Sequence, residues 1–383
     1  MSTQPTTPAG TGEHDRRHER IREAVRAAGL DAVVVAGSEY TGFDGAVFYL
    51  SGFRILHRYA YVLLPADGEP TSIFPGEARW VGDHSEGVIE DRVFADVPGA
   101  WIAEHARERG WRRLGLYGAD YVLPVRDWRA LEAGPAELVP FDEEFDLARA
   151  VKSAAELESV RESMHINEAG LRAVLAAWAP GRTEMELMAA AEEAFIARGT
   201  GRLTMNMVLT GPAGAAYPEM RHPKPRPVER GDMLLYGLEV AGHGGHWVEF
   251  SRPICDGEPS AETLRMLDAY RAYHRIARTA LRAGATAHEV HRAVSEPFRD
   301  AGWNLGHVTG HSIGMTMIEH PRVGEGIDVE LREDMVVSMH PHVISTDERT
   351  CLYFQDTWHV TAGGGVPFSD VPVEVFAPDA VTA

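Results

Sequence analysis

The spacing of apolar residues divides the chain into two unlike halves. Over residues 15–29, Ile21, Ala24, Val25 and Ala28 recur at helical spacing, and the fully apolar stretch 32–35 follows as a buried strand. Strands are also expected at 47–53, 59–65 and 71–74, the last two joined through a turn at Asp67-Gly68. A helix over 100–109 and a strand over 114–117 complete the pattern. Helices alternating with short apolar strands predict an α/β domain that ends near Asp146.

The second half is organised differently. Ser153 is a predicted N-cap, with Glu156 three residues later to close a capping box. A long amphipathic helix then runs to Trp178 on Leu157, Val160, Met164, Leu171, Val174 and Leu175, and Pro180-Gly181 ends it. Thr183-Glu184 opens a further helix through Phe195 to Gly199. Two more helices, at 261–282 and 287–301, are separated at Gly284. Strands are expected at 233–240, 246–252, 335–343 and 352–361, which makes this half α+β. The domains are therefore placed at 15–147 and 155–383, behind a disordered tail at 1–14 rich in Thr, Pro and Gly.

Composition adds mainly exclusions. At 383 residues the chain is longer than the roughly 250–300 that one core usually supports, in keeping with two domains. With 37 basic and 57 acidic side chains the formal charge is −20, the wrong sign for a non-sequence-specific nucleic-acid binder or a partner of anionic membranes. Cys255 and Cys351 are too few for a disulfide framework or a cysteine-rich zinc site. No apolar run approaches the roughly 20 residues of a membrane span. The tail lacks the apolar core of a secretory signal, so a cytoplasmic location is expected.

Candidate chemistry lies where core strands carry polar side chains. Glu239 interrupts one otherwise apolar run and Glu249 the next, between Val248 and Phe250. His340 and His342 alternate, hence share a strand face, and Gln355-Asp356 interrupts a fourth stretch. Burying a charge costs several kcal/mol unless it is paired or metal-bound. Four such interruptions point to one shared polar pocket; the alternative is separate, solvated strand ends. Glycines frame His311 within Gly310-His-Ser-Ile-Gly314, allowing close backbone approach and a fixed ring, and His307 stands four residues before it. His222 lies in the polar stretch 220–225 ahead of Gly231-Asp232. His57, His243, His246 and His359 have no supporting context.

These residues together resemble the creatinase and Xaa-Pro peptidase family of pita-bread fold. The resemblance is carried by Tyr49-Leu-Ser-Gly-Phe53, Arg149 with Lys152, Gly181-Arg-Thr-Glu184, Gly231-Asp232, Gly310-His-Ser-Ile-Gly314, Glu319-His-Pro321 and Gln355-Asp356-Thr357. It implies an α/β N-terminal domain, an α+β pita-bread catalytic domain, and a homodimer whose partner closes the site. The family's peptidases hold two divalent metals with Asp, Asp, His, Glu and Glu. Those positions fall here on Gly237, Glu249, His311, His340 and Gln355, with Glu239 two residues beyond the first. A second family histidine falls on Ile318, so His222 and His311 alone stand unchanged.

A dinuclear centre needs carboxylates to balance four positive charges, and these replacements remove most of them. The resemblance therefore implies a creatinase-like small-molecule hydrolase of a C–N bond rather than a dinuclear metallopeptidase. His222, His311, Glu249, His340 and Gln355 are its expected catalytic residues, with Glu239, Tyr236, Arg221 and Glu319 binding a cationic or zwitterionic substrate. The expected cofactor is none, or one divalent iron, zinc or manganese held among Glu239, Glu249, His311 and His340. Three alternatives compete: a mononuclear-metal lyase resembling dimethylsulfoniopropionate lyases, a non-catalytic binding module, and an Xaa-Pro peptidase. The lyase is disfavoured because its base position falls on Met317.

Overall fold

The structure, a computed structural model, describes residues 11–39, 43–81, 86–200, 202–203, 206–212 and 214–378. The chain divides into two units, the first ending at Ala150 and the second running Val151–Ala383. Residues 1–10 of the expected tail lie outside the described residues, whereas 11–14 already belong to the first helix.

The N-terminal unit contains α1 (Thr11–Ala27), β1 (Ala32–Ser38), α2 (Gly45–Ser51), β2 (Tyr59–Pro65), β3 (Thr71–Pro75), β4 (Asp91–Ala95), α3 (Pro98–Arg109), β5 (Arg113–Tyr117), α4 (Val125–Glu132), β6 (Glu137–Pro140) and α5 (Asp142–Arg149). Its six strands form one sheet in the order β4-β3-β2-β1-β5-β6, antiparallel on both sides of β2 and parallel elsewhere. Val34, Tyr61, Leu63 and Leu116 pack on its helices through Ile102, Ala106 and Leu131. One expectation fails: 47–53 is not a strand but α2. A short, unbroken apolar run fits a buried helix as well as a buried strand. Here Gly52, in the left-handed region at φ 65°, caps it as a helix.

The second unit begins with α6 (Ala154–Ala177) and α7 (Glu184–Ile196). Both open on capping boxes, the first the predicted pair Ser153 and Glu156, the second Thr183 and Glu186. Next come β7 (Arg202–Leu203), β8 (Met207–Gly211), β9 (Met233–Ala241), β10 (Trp247–Cys255), α8 (Ala261–Ala280) and α9 (Ala287–Asp300). The chain ends in short strands: β11 (Asn304–Leu305), β12 (Gly310–Ser312), β13 (Glu319–Val323), β14 (Val336–Met339), β15 (His342–Ile344), β16 (Cys351–Tyr353), β17 (Asp356–Thr361) and β18 (Gly364–Pro367). They form three sheets: β10-β9-β7 with β8 also on β9, β11-β15-β16, and β13-β12-β14-β17-β18. The backbone bridge Ser251–Gln355 and the Glu249 N–H donated to Thr357 Oγ1 (3.0 Å) stitch β10 to the last group. α6 and α7 back the β9–β10 ladder, with Met164, Leu171, Leu187 and Phe195 in one core with Tyr236, Leu238, Val248 and Phe250.

Two of the expected strands are each split in two. The stretch 335–343 breaks at His340-Pro341, where proline has no N–H for the ladder. The stretch 352–361 breaks at Phe354-Gln355. Both breaks fall at candidate site residues.

Candidate metal centre

β9 and β10 pair in register, Gly237 opposite Ser251 and Glu239 opposite Glu249. Side chains alternate across a strand, so these four share one face while Tyr236, Leu238, Val248 and Phe250 take the other. Glu249 meets two imidazoles, His311 on β12 and His340 at the break between β14 and β15. Its Oε1 is 3.3 Å from His311 Nε2 and its Oε2 is 3.8 Å from His340 Nε2. One ligand atom from each of the three buried residues lies within 4.8 Å of the others. In a tetrahedral site with bonds of about 2.0–2.2 Å, donors stand roughly 3.3–3.6 Å apart, so the spacing suits one divalent ion. Two imidazoles and a carboxylate match zinc or iron chemistry.

Further groups hold the three in place. His311 Nδ1–H donates to the Ser312 carbonyl (2.9 Å), which fixes the ring and leaves Nε2 for a ligand. Ser338 Oγ–H and Gln355 Nε2–H both donate to Glu249 Oε2, at 2.5 and 3.3 Å. The glycines around His311 serve close packing: a Cβ on Gly310 would meet the Ser338 carbonyl at 2.3 Å, and one on Gly314 would meet Glu319 Oε1 at 2.5 Å. The His307 ring lies tilted against those of His340 and His342, at ring separations of 5.0 and 5.5 Å, and Tyr353 meets His342 edge-on at 5.3 Å.

Burial sets the charge states. It pushes the Glu249 carboxyl up, but the His311 and His340 imidazoles and the Ser338 hydroxyl outweigh it and hold the group below the ordinary carboxylate range. Burial lowers His311, yet the Glu249 carboxylate more than restores it, leaving that imidazole above its usual value. His340 is pushed down to about 3 by burial, offset only in part by Glu249, and is a neutral imidazole ready to ligate. Burial and the neighbouring His307 likewise push His342 down to about 4.

The centre unites Glu249, His311, His340 and Gln355. Glu239, also expected as a ligand, is buried beside Glu249 but is not among the three converging donors. The reason is position: β10 lies between β9 and the strands that bring the histidines, so Glu239 stands one strand further out. Tyr236 is corrected outright. It sits on the opposite ladder face, with its hydroxyl donated to the Asn167 carbonyl (3.0 Å) on α6. Glu319 is engaged by Lys152 (3.2 Å) and accepts from the Thr316 N–H, pinning the turn after Gly314 rather than facing a substrate. Arg221 forms a two-point ion pair with Glu184 (2.7 and 2.9 Å) that ties its loop to α7. His222 is exposed on that loop and lies outside the donor set.

The sequence reading passed over Ser338 and Tyr353. Each stands two residues before a chosen residue, His340 and Gln355, so strand alternation was the available signal. Met207 was also missed. It pairs with Gly237 across β8–β9, and its Cε lies 3.1 Å from where a Cβ on Gly237 would be, with Gln355 Oε1 at 3.3 Å. Where the resemblance expects a carboxylate stands a glycine, whose Cβ position is bordered by the Met207 methyl, the Gln355 amide oxygen and Leu235 Cδ2.

The model of metallopeptidase family M24 matches residues 158–362, more than half of the chain. The chain belongs to metallopeptidase family M24. Residues 17–151 match the creatinase/prolidase N-terminal domain, so the expected pair of domains and the pita-bread fold hold. The probable dipeptidase PepE of Mycobacterium tuberculosis is 26% identical, over 94% of this chain and 95% of the relative. The Xaa-Pro dipeptidase of Lactobacillus delbrueckii subsp. lactis is 24% identical, over 85% and 89%. Among solved structures, dipeptidase PepE from Mycobacterium ulcerans superposes with a TM-score of 0.81 at 24% identity, covering 97% of this chain and 99% of that one. An Xaa-Pro dipeptidase from Bacillus anthracis gives 0.79 at 22%, over 95% and 99%. This family is one of hydrolases, which holds the expected reaction class at that level. Among the described residues, no helix of this M24 member is long and apolar enough to cross a membrane.

Proposed function

We propose that the protein is a single-metal hydrolase that cleaves the amide C–N bond of a small, dipeptide-sized substrate. The observation that carries this reading is the convergence of Glu249, His311 and His340, a donor set that among the described residues contains one carboxylate. Membership of M24 supports amide hydrolysis. The dipeptidase names of the relatives support the peptidase alternative better than a creatinase-like substrate. Glu249, His311 Nε2 and His340 Nε2 would hold the ion. When bound, zinc, iron or manganese supplies a Lewis acid that polarises a carbonyl and acidifies a water.

The chain's own contribution is preorganisation. Ser338 and Gln355 aim the Glu249 carboxylate, the Ser312 carbonyl fixes the His311 tautomer, and the Lys152–Glu319 pair holds the turn beyond Gly314. His222, exposed in this structure, is given no role. A cytoplasmic homodimer belongs to the same proposal, with sedimentation velocity as its check.

Metal content measured alongside release of proline from Xaa-Pro dipeptides tests the reading. The expected result is about one ion per chain at full activity, with activity lost on chelation and restored by one equivalent. Full activity requiring two ions per chain overturns it, as does undiminished turnover by metal-stripped protein.

A further inference from the structure

β10 is the outer strand of its sheet, in the order β10-β9-β7, so one side of it has no ladder partner within that sheet. Buried backbone groups on that side must find partners elsewhere. The Ser251 N–H does so in the ordinary way, donating to the Gln355 carbonyl at 3.1 Å. Glu249 pairs with a side chain instead. Its N–H donates to Thr357 Oγ1 at 3.0 Å, and Thr357 Oγ1–H donates to the Glu249 carbonyl at 3.1 Å. One hydroxyl, with its single proton and its lone pairs both engaged, thus holds both backbone groups of the residue that carries the carboxylate ligand.

Register puts Thr357 where it can do this. It stands opposite Ser338 across β14–β17, and Ser338 stands opposite His311 across β12–β14. Directly opposite residues share a sheet face, so His311, Ser338 and Thr357 form one row across three strands. All three reach Glu249: His311 Nε2 lies 3.3 Å from Oε1, Ser338 Oγ–H donates to Oε2, and Thr357 takes the backbone. The row anchors Glu249 at both ends, the carboxylate through one hydroxyl and the main chain through another. Thr357 is fully buried, so bulk water does not compete for its two bonds. A β-branched side chain also has few χ1 choices, which keeps the hydroxyl aimed at the strand edge.

We propose that Thr357 is a positioning residue of the metal centre, whose hydroxyl clasps the Glu249 N–H and C=O and so sets where that carboxylate stands relative to His311 and His340. The proposal rests on the single-metal reading above. A metal centre works only with its donors within about 0.5 Å of the productive geometry, and a ligand on a strand edge without a ladder depends on such a tie.

Zinc titration without substrate, run on the unmodified protein, Thr357→Val and Thr357→Ser, tests the proposal beside urea unfolding of each metal-free protein. Valine keeps the branched shape and removes the hydroxyl, whereas serine keeps the hydroxyl. The expected result is zinc affinity about ten-fold weaker in Thr357→Val and restored in Thr357→Ser. The urea midpoint of Thr357→Val should fall as well, because buried backbone groups lose their partner; the zinc affinity of the folded protein is what separates positioning from a purely structural role. Thr357→Ala carries the same test if Thr357→Val does not fold. Zinc affinity retained without the hydroxyl, or weakened equally in Thr357→Ser, overturns the proposal. No zinc binding by the unmodified protein overturns the single-metal reading and this proposal with it. Zinc affinity that follows the hydroxyl in a protein that releases no proline from Xaa-Pro dipeptides sinks the hydrolase reading alone.

Discussion

The two faces of the β9–β10 ladder are equally buried and do opposite work. Toward α6 and α7, Tyr236, Leu238, Val240, Val248 and Phe250 close an apolar core in which the Tyr236 hydroxyl is bonded to Asn167. On the other side, Gly237, Glu239, Glu249 and Ser251 face the histidine-bearing strands. Every residue of both strands is buried. Burial therefore does not separate framework from chemistry here; alternation along the strand does. The N-terminal sheet shows what a strand looks like without such a site, since β1 and β2 keep apolar residues along nearly their whole length.

The largest effect is expected on the polar face. Glu249→Gln removes the only carboxylate among the three donors and should cut metal affinity and hydrolysis at least about 100-fold, read by metal titration and steady-state kinetics. If Glu249→Gln bound metal like the parent, the three-donor centre would be abandoned. Phe250→Ala, one residue away on the other face, should instead cost about 3–5 kcal/mol in urea unfolding, with kcat/KM of the folded protein retained. A large kinetic defect in folded Phe250→Ala would break the division between the faces.

A smaller effect sharpens it. Ser338→Ala removes the hydroxyl that steadies Glu249 Oε2 and should weaken metal binding about ten-fold, with stability little changed. The smallest effect lies away from the ladder, at the Glu184–Arg221 pair. Burial pushes the Glu184 carboxyl up, but Arg221 and the Thr210 and Lys224 N–H groups bring it down to about 2 from 4.5. The folded value is the lower one, so this contribution to stability is complete above pH 4.5 and fades as the pH falls toward 2. Glu184→Gln should flatten that part of the stability–pH curve and leave metal content alone. An unchanged acid slope would show that the pair adds nothing.

Much of the fold was legible because its signals are local. Ser153 with Glu156, the 3.6-residue spacing through α6, and the apolar runs of β1, β2 and β5 each act over a few residues. The site was half legible. Glu249, His340 and Gln355 betrayed themselves as polar breaks in apolar strands, and the glycines around His311 marked a close approach now seen against Ser338 and Glu319. Tyr236, Arg221 and Glu319 were misplaced because nearness in sequence to a site residue says nothing of which way a side chain faces or which partner claims it. The helix α2 was misread because a short apolar run without alternation fits either period.

The sequence by itself determined the two domains, the elements that carry the centre, and the loss of carboxylates at positions 237, 340 and 355. The first two follow from periodicity and residue identity, whereas the loss of carboxylates follows from the resemblance to the family. Only the tertiary structure decided that three donors converge while Glu239 stays a strand away, that Lys152 claims Glu319, and that Gln355 turns its amide nitrogen to Glu249. These depend on strand order and register between segments up to 167 residues apart, where a shift of one residue would turn every side chain to the opposite face.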